Sequence, residues 1–231
     1  MSEQSVPQGV DISGKTIAVL GGTGDQGRGL ARRFALAGHT VLIGSRSAER
    51  ASKAANDLVD AESVEVRVHG ADNAEAAARA DIVIVAVPWD GHRDLLVALA
   101  DKLAGKIVVD CVNPLGFDKK GPFALEVPEG SAAQQAAEVL PGSRVTAAFH
   151  HVSASLLLDP RVAEVDLDVL VLGEDREATD VVRALAERIP GVRGVFGGRL
   201  RNAHQVEALT ANLIAVNRRY KTHAGIRITG L

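Results

Sequence analysis

The chain has 231 residues, room for one full α/β domain and a smaller appendage. Hydrophobic residues make up 46% of it and aromatics 3%, so Ala, Val, Leu and Ile must build the core, as in a parallel sheet buried on both faces. A net charge of −3, with no lysine or arginine run longer than two, argues against nucleic acid or a membrane surface as partner, and no apolar window approaches the ~18 residues of a membrane helix.

Residues 1–15, "MSEQSVPQGVDISGK", lack the apolar run of a signal peptide and read as a flexible tail. "TIAVLGG" (16–22) reads as a buried strand, and 25–38 as a helix with Leu30, Phe34 and Leu36 facing inward. "TVLIGS" (40–45) is a second strand, followed by an Ala-rich helix from Ala48 to about Asp60. "VEVRVHG" (64–70) alternates with period two, and a short helix, "AEAAARA", leads to "DIVIVAVPW" (81–89), the most hydrophobic strand candidate. A helix over about 91–103 and the strand "KIVVDCVNP" follow; its Cys111, the single cysteine, reads as an inert buried residue and suits a reducing cytoplasm. Strand–helix alternation at this spacing predicts an α/β fold with a doubly wound parallel sheet.

Glycines and prolines between Asn113 and Gly130 punctuate an expected loop, and Ser131 is placed to cap the helix "AAQQAAEVL". "RVTAAF" (144–149) supplies a sixth strand. Beyond it come an irregular piece, "HVSASLLLDP", a strand "LDVLVLG", a helix over 175–189, a strand "VRGVFGG" and a last long helix through "RNAHQVEALTANLIAVNRRY". This change of character suggests a nucleotide-binding domain over 16–149 and a smaller C-terminal α/β domain over 150–231. The last helix places Val206, Leu209, Leu213 and Val216 on one face, which either covers a cleft or joins a homodimer.

Gly22-x-Gly24-x-x-Gly27 follows a strand and opens a helix, the context of a Rossmann-type dinucleotide loop. The glycines allow a tight turn, close approach to a pyrophosphate and close helix packing, while the helix N-terminus attracts the phosphate charge. An NAD enzyme usually places Asp or Glu at the end of the second strand to hold the ribose 2′-hydroxyl. This chain has Ser45 and Arg46 there, with Arg50 one helical turn on. Two guanidiniums and a hydroxyl grip a 2′-phosphate that a carboxylate would repel, so NADP(H) is the expected ligand.

Ligands lie across the carboxyl ends of the strands in such sheets, which makes Val87, Pro88, Trp89 and Asn113 candidates for the nicotinamide wall. Carbonyl reduction would need a proton donor beside the hydride. The only tyrosine, Tyr220, has Ala224 where a Tyr-x-x-x-Lys relay needs lysine, and no spacing suits a metal site. His150 could serve as an acid, as in an imine or small-carbonyl reductase; a non-enzymatic NADP(H)-sensing module is a third reading. A second redox cofactor also fits, since hydride exchange between two flat heterocycles needs stacking and dryness and no catalytic acid.

Together "IAVLGGTGDQGRGLA", "IGSRSAERA", "VAVPWD", "KIVVDCVNP", "AAFHHVSA" and "VEALTANLIAVNRRYKTHAGIRITGL" resemble the NADPH-dependent F420 reductase family from about Thr16 to Leu231. The resemblance implies a cytoplasmic enzyme moving a hydride reversibly between NADP(H) and coenzyme F420, an 8-hydroxy-5-deazaflavin, with both small molecules in one cleft. It implies NADP contacts from Gly22, Thr23, Gly24, Asp25, Gln26, Ser45, Arg46, Arg50, the Val87–Trp89 turn, Asn113 and Ala154. On the deazaflavin side it implies His150, Val152 and Thr210. Gln205 and Ala208 depart from the polar residues of that side.

Overall fold

The computed structural model describes residues 10–62 and 65–231. The expected tail up to residue 9, and Val64 of the third expected strand, lie outside them. The first half runs β1 (Thr16–Leu20), α1 (Asp25–Leu36), β2 (Thr40–Ser45), α2 (Ala48–Ala61), β3 (Arg67–Asp72), α3 (Asn73–Arg79), β4 (Ile82–Val85), α4 (His92–Leu103) and β5 (Ile107–Asp110). After β5 come a hairpin of β6 (Leu115–Asp118) and β7 (Gly121–Ala124), then α5 (Ala132–Val139) and β8 (Arg144–Ala147). The chain ends with α6 (Ala154–Leu158), β9 (Leu167–Gly173), α7 (Arg176–Ala186), β10 (Val192–Gly198) and α8 (Ala203–Tyr220).

Eight strands form one sheet in the order β10-β9-β8-β5-β4-β1-β2-β3. Its six N-terminal strands are parallel, the Rossmann-like order expected from the alternation of elements. The pleat divides the core by alternation: Ile17 and Val19 face the layer of α1, α2 and α7, while Ala18 and Leu20 face that of α3, α4 and α5. Both faces are buried, which explains strands that read as unbroken apolar runs.

Five local expectations change. The strands expected in a second domain after residue 150 extend the first sheet instead: β9 pairs antiparallel with β8, through Thr146↔Gly173 and Ala147↔Leu172, and β10 lies parallel to β9. Within the expected tail Ile12 is fully buried in the core, because a large aliphatic side chain next to β1 has apolar space to fill. Leu36 ends α1 at 37% exposure rather than facing inward with Leu30 and Phe34, both fully buried. The expected 113–130 loop contains the β6–β7 hairpin, whose turn is closed by Asp118 Oδ1 accepting from the amides of Lys120 at 2.7 Å and Gly121 at 3.1 Å.

The segment expected to be irregular after His150 holds α6, too short for its periodicity to show. It is docked on α1. A Cβ on Gly29 would lie 2.7 Å from the Leu157 Cβ, so only glycine lets the two helices approach this closely. Arg33, also on α1, donates to the carbonyls of Leu156 at 2.7 Å, Leu157 at 2.9 Å and Val162 at 2.8 Å, giving acceptors at the end of α6 a buried partner. Replacing Gly29 with Val should therefore lower the unfolding free energy by about 1–3 kcal/mol through overpacking. Gly24→Ala, whose added carbon meets nothing nearer than 3.7 Å, should stay within about 0.5 kcal/mol of the parent. Denaturant unfolding of the two variants checks the contrast.

Candidate functional site

β1 lies between β2 and β4, whose connections leave on opposite sides, so a crevice opens at the carboxyl ends of these strands. Gly21 turns the chain there at φ +72°, and a Cβ on it would sit 2.6 Å from the Ala86 carbonyl. Gly22 and Gly27 are equally confined: a Cβ would meet the Val19 carbonyl at 2.7 Å and the Gly22 Cα at 2.7 Å, respectively. Thr23, Gly24, Asp25 and Gln26 lead from this turn into α1. No side chain caps the α1 N-terminus, so its first amides keep their donor capacity for an anion.

Along the same edge, Ser45 ends β2 in a buried position, its Oγ accepting from the Ser47 amide at 3.3 Å. Ser47 in turn caps α2 by accepting from the Arg50 amide at 3.3 Å. Arg46 and Arg50 flank this cap and are both exposed. A serine hydroxyl and two guanidiniums thus share one end of the crevice, the donor set that an esterified phosphate requires.

A cavity of about 310 Å³ opens at the other end. Gln26, Val87, Asn113, His150, Val152 and Thr210, all expected site residues, line it together. Pro88, Trp89 and Ala154 stand outside that lining: Trp89 packs on His92, and Ala154 begins α6. On the remaining wall lie Leu213, Ile214 and Asn217 of α8 and Ala224 beyond it. Of these only Leu213 belongs to the expected apolar face. An asparagine among Leu213, Ile214 and Val216 was the available signal for the rest, since a polar residue on an apolar stripe asks for a partner. Asn217 Oδ1 accepts from the Ala224 amide at 2.6 Å. Gly21 was also missed, because the glycine spacing starts one residue later.

The floor is the turn from Phe149 to Val152. Phe149 is fully buried, stands edge-on to Phe34 and adopts a left-handed φ of +66°. Such a conformation persists only where surrounding contacts over-determine it. Here Gln26 Nε2 donates to the Phe149 carbonyl at 3.3 Å, while Asn113 Nδ2 and Thr210 Oγ1 converge on the His150 carbonyl at 2.8 and 2.9 Å. Elements from both halves of the chain are tied to two successive peptides.

His150 and His151 are 3% and 4% exposed, and none of their ring nitrogens has a hydrogen-bond partner among the described residues. Burial pushes both imidazoles down to about 4, so both are neutral at physiological pH. Unpaired, neutral ring nitrogens lining a cavity are ready to meet a polar ligand. Burial drives the Cys111 thiol up, and its Sγ donates to the Val85 carbonyl at 3.1 Å, which leaves it unreactive. No group of three or more metal-ligating side chains occurs among the described residues, and no helix among them is long and apolar enough to cross a membrane.

The family described as NADP oxidoreductase coenzyme F420-dependent matches residues 16–114, which span the glycine loop through Pro114. The F420-dependent NADP reductase of Methanothermobacter thermautotrophicus is 46% identical over 222 residues, covering 93% of this chain and 95% of that protein. Its counterpart from Methanocaldococcus jannaschii is 41% identical over 221 residues, covering 93% and 98%. A solved structure from Arthrobacter sp. fb24, described as a candidate F420-dependent NADP reductase, superposes with a TM-score of 0.80 at 30% identity and covers 94% of this chain and 100% of that one. With that identity sustained over almost the whole of both curated relatives, the chain belongs to the F420-dependent NADP reductase family.

Proposed function

We propose that the protein is an oxidoreductase that binds NADP(H) across the crevice and coenzyme F420 in the adjoining cavity. NADP(H) and the deazaflavin supply the redox chemistry, a hydride passing between their rings in either direction. The chain holds and aligns them. Gly22, Thr23, Gly24, Asp25 and Gln26 present backbone amides and the α1 N-terminus to the pyrophosphate. Ser45, Arg46 and Arg50 take the 2′-phosphate, and Val87, Pro88, Trp89, Asn113 and Ala154 enclose the nicotinamide end. His150, Val152 and Thr210 line the side left for the deazaflavin.

The observation that carries this reading is the character of the cavity beside the glycine loop. It offers apolar side chains such as Val87, Val152, Leu213 and Ile214 together with neutral, unpartnered histidine nitrogens. That suits transfer between two flat rings, which depends on proximity and exclusion of water. An imine or carbonyl reductase would ask His150 to donate a proton, yet its imidazole carries none to spare above about pH 4. The lone buried thiol and the small-molecule partners fit a cytoplasmic enzyme.

Purified protein given NADPH and oxidised F420 should bleach the deazaflavin absorbance; NADPH binding with no bleaching would support a sensing module. Arg46→Ala should raise KM for NADPH by about tenfold to a hundredfold, the size of one lost charge-assisted hydrogen-bond pair, with kcat at saturation largely kept. An unchanged KM ratio between NADPH and NADH would remove the phosphate assignment. His150→Gln should cost less than about tenfold in turnover and leave the pH profile unshifted, whereas loss of a general acid costs about 10²–10⁴-fold.

A further inference from the structure

Behind the cavity wall lies a buried polar network that the proposed hydride transfer does not use. His92, at the start of α4, is fully buried with a ring nitrogen against an oxygen on each side. Its Nε2 lies 2.5 Å from Asp110 Oδ2 and its Nδ1 3.0 Å from Gln135 Oε1. The Gln135 amide is held in that orientation because its Nε2 donates to Glu129 Oε1 at 3.1 Å. Gln135 Oε1 can only accept, so Nδ1 carries a hydrogen, and the Asp110 carboxylate facing Nε2 favours a second one there, which makes His92 an imidazolium. Burial opposes the charge, but the Asp110 carboxylate overcomes it, with Gln135 and the more distant Glu207 acting in the same direction, and the His92 pKa rises above the ordinary histidine value.

Two features tie this cation to the residues proposed to enclose the nicotinamide end, Trp89 outside the cavity lining and Asn113 within it. The Trp89 ring lies over it, with centroids 5.4 Å apart and planes tilted by 31°, within cation–π range. Asp110 closes β5, and its other oxygen accepts from the Val112 amide at 3.0 Å, fixing the turn that carries Cys111, Val112 and Asn113 along the cavity wall. A neighbouring strut comes from α8, where Glu207 accepts from the Ala132 and Ala133 amides at the head of α5, the helix that bears Gln135.

We propose that His92 is a positioning residue for the nicotinamide end of the cleft, a buried imidazolium that sets the Trp89 ring on one side and, through Asp110, the end of β5 on the other. Which end of the cleft takes the nicotinamide rests on the function proposed above. His92 touches neither ligand; it acts through Trp89 and Asn113. Loss of its proton removes the cation–π contact and leaves Asp110 as a buried carboxylate with a weaker partner, so the wall loosens as pH rises through the His92 pKa.

Trp89 is the only tryptophan, so indole emission reports the surroundings of this ring, His92 among them. At neutral pH the wild-type protein should emit less than His92→Gln, because an imidazolium in contact with indole quenches it. That difference should vanish in one step as pH is raised above 6.5, the ordinary histidine value. Over the same step the Kd of the wild type for NADPH should rise about tenfold, between the size of an exposed and of a fully desolvated cation–π contact, and His92→Gln should show the weaker Kd at every pH. Equal emission of the two proteins, a pH step that persists in His92→Gln, or a wild-type Kd without pH dependence would overturn the proposal. Should His92→Gln fail to fold, Glu207→Gln decides it: burial raises the Glu207 carboxyl to about 7, into the same range, and the emission step and Kd shift must persist without it. An intact emission step and Kd shift in a protein that never bleaches F420 would support His92 positioning and count against the functional reading instead.

Discussion

The crevice depends on how closely three stretches of backbone approach where β1 ends. Gly21, Gly22 and Gly27 leave no room for a Cβ against Ala86, Val19 and Gly22, and that contact brings the uncapped head of α1 to the mouth of the sheet. Open amides at a helix N-terminus, facing a gap between diverging connections, form an anion site before any side chain is considered. Side chains then decide which anion. We propose that Ser45, Arg46 and Arg50, standing where a ribose-binding carboxylate would otherwise be, give this end of the crevice a preference for an additional phosphate.

The other end is organised around two successive peptides. The left-handed turn at Phe149 lets one carbonyl meet Gln26 of α1 and the next meet both Asn113, beyond β5, and Thr210 of α8. The cavity is thereby bounded by the glycine-loop helix, a strand end and the last helix, all referenced to the same short segment. Preorganisation of this kind suits a reaction whose barrier is lowered by alignment rather than by acid–base groups. The neutral state of His150 and His151 follows from the same burial, because the pull of Asp110 on one ring and of Asp168 on the other falls short of the loss of water.

Much of this was legible beforehand, and the failures share a cause. Buried parallel strands and amphipathic helices announce themselves in local periodicity, and the glycine loop and Ser45–Arg46 pair are chemical requirements written in adjacent residues. Pairing partners distant in sequence are not written locally: nothing in "LDVLVLG" says that it adds antiparallel to β8 and extends the first sheet. Short elements such as α6 and the β6–β7 hairpin carry too few periods to register. Ile12 and Leu36 erred in opposite directions, because burial at the end of an element depends on what tertiary packing brings against it. At the site, residues adjacent to a recognisable motif were readable, whereas Asn217, Ala224 and the His92–Asp110–Gln135 network belong to it only through three-dimensional contact.

The central claim is that the fold aligns two redox rings closely enough for a hydride to pass directly, shielded from water. Its most direct test uses NADPH carrying deuterium at the transferable nicotinamide position, in ordinary water, with mass spectrometry of the reduced deazaflavin. Direct transfer predicts that the product retains the deuterium essentially in full. Product that has instead taken its hydrogen from the solvent would contradict the account.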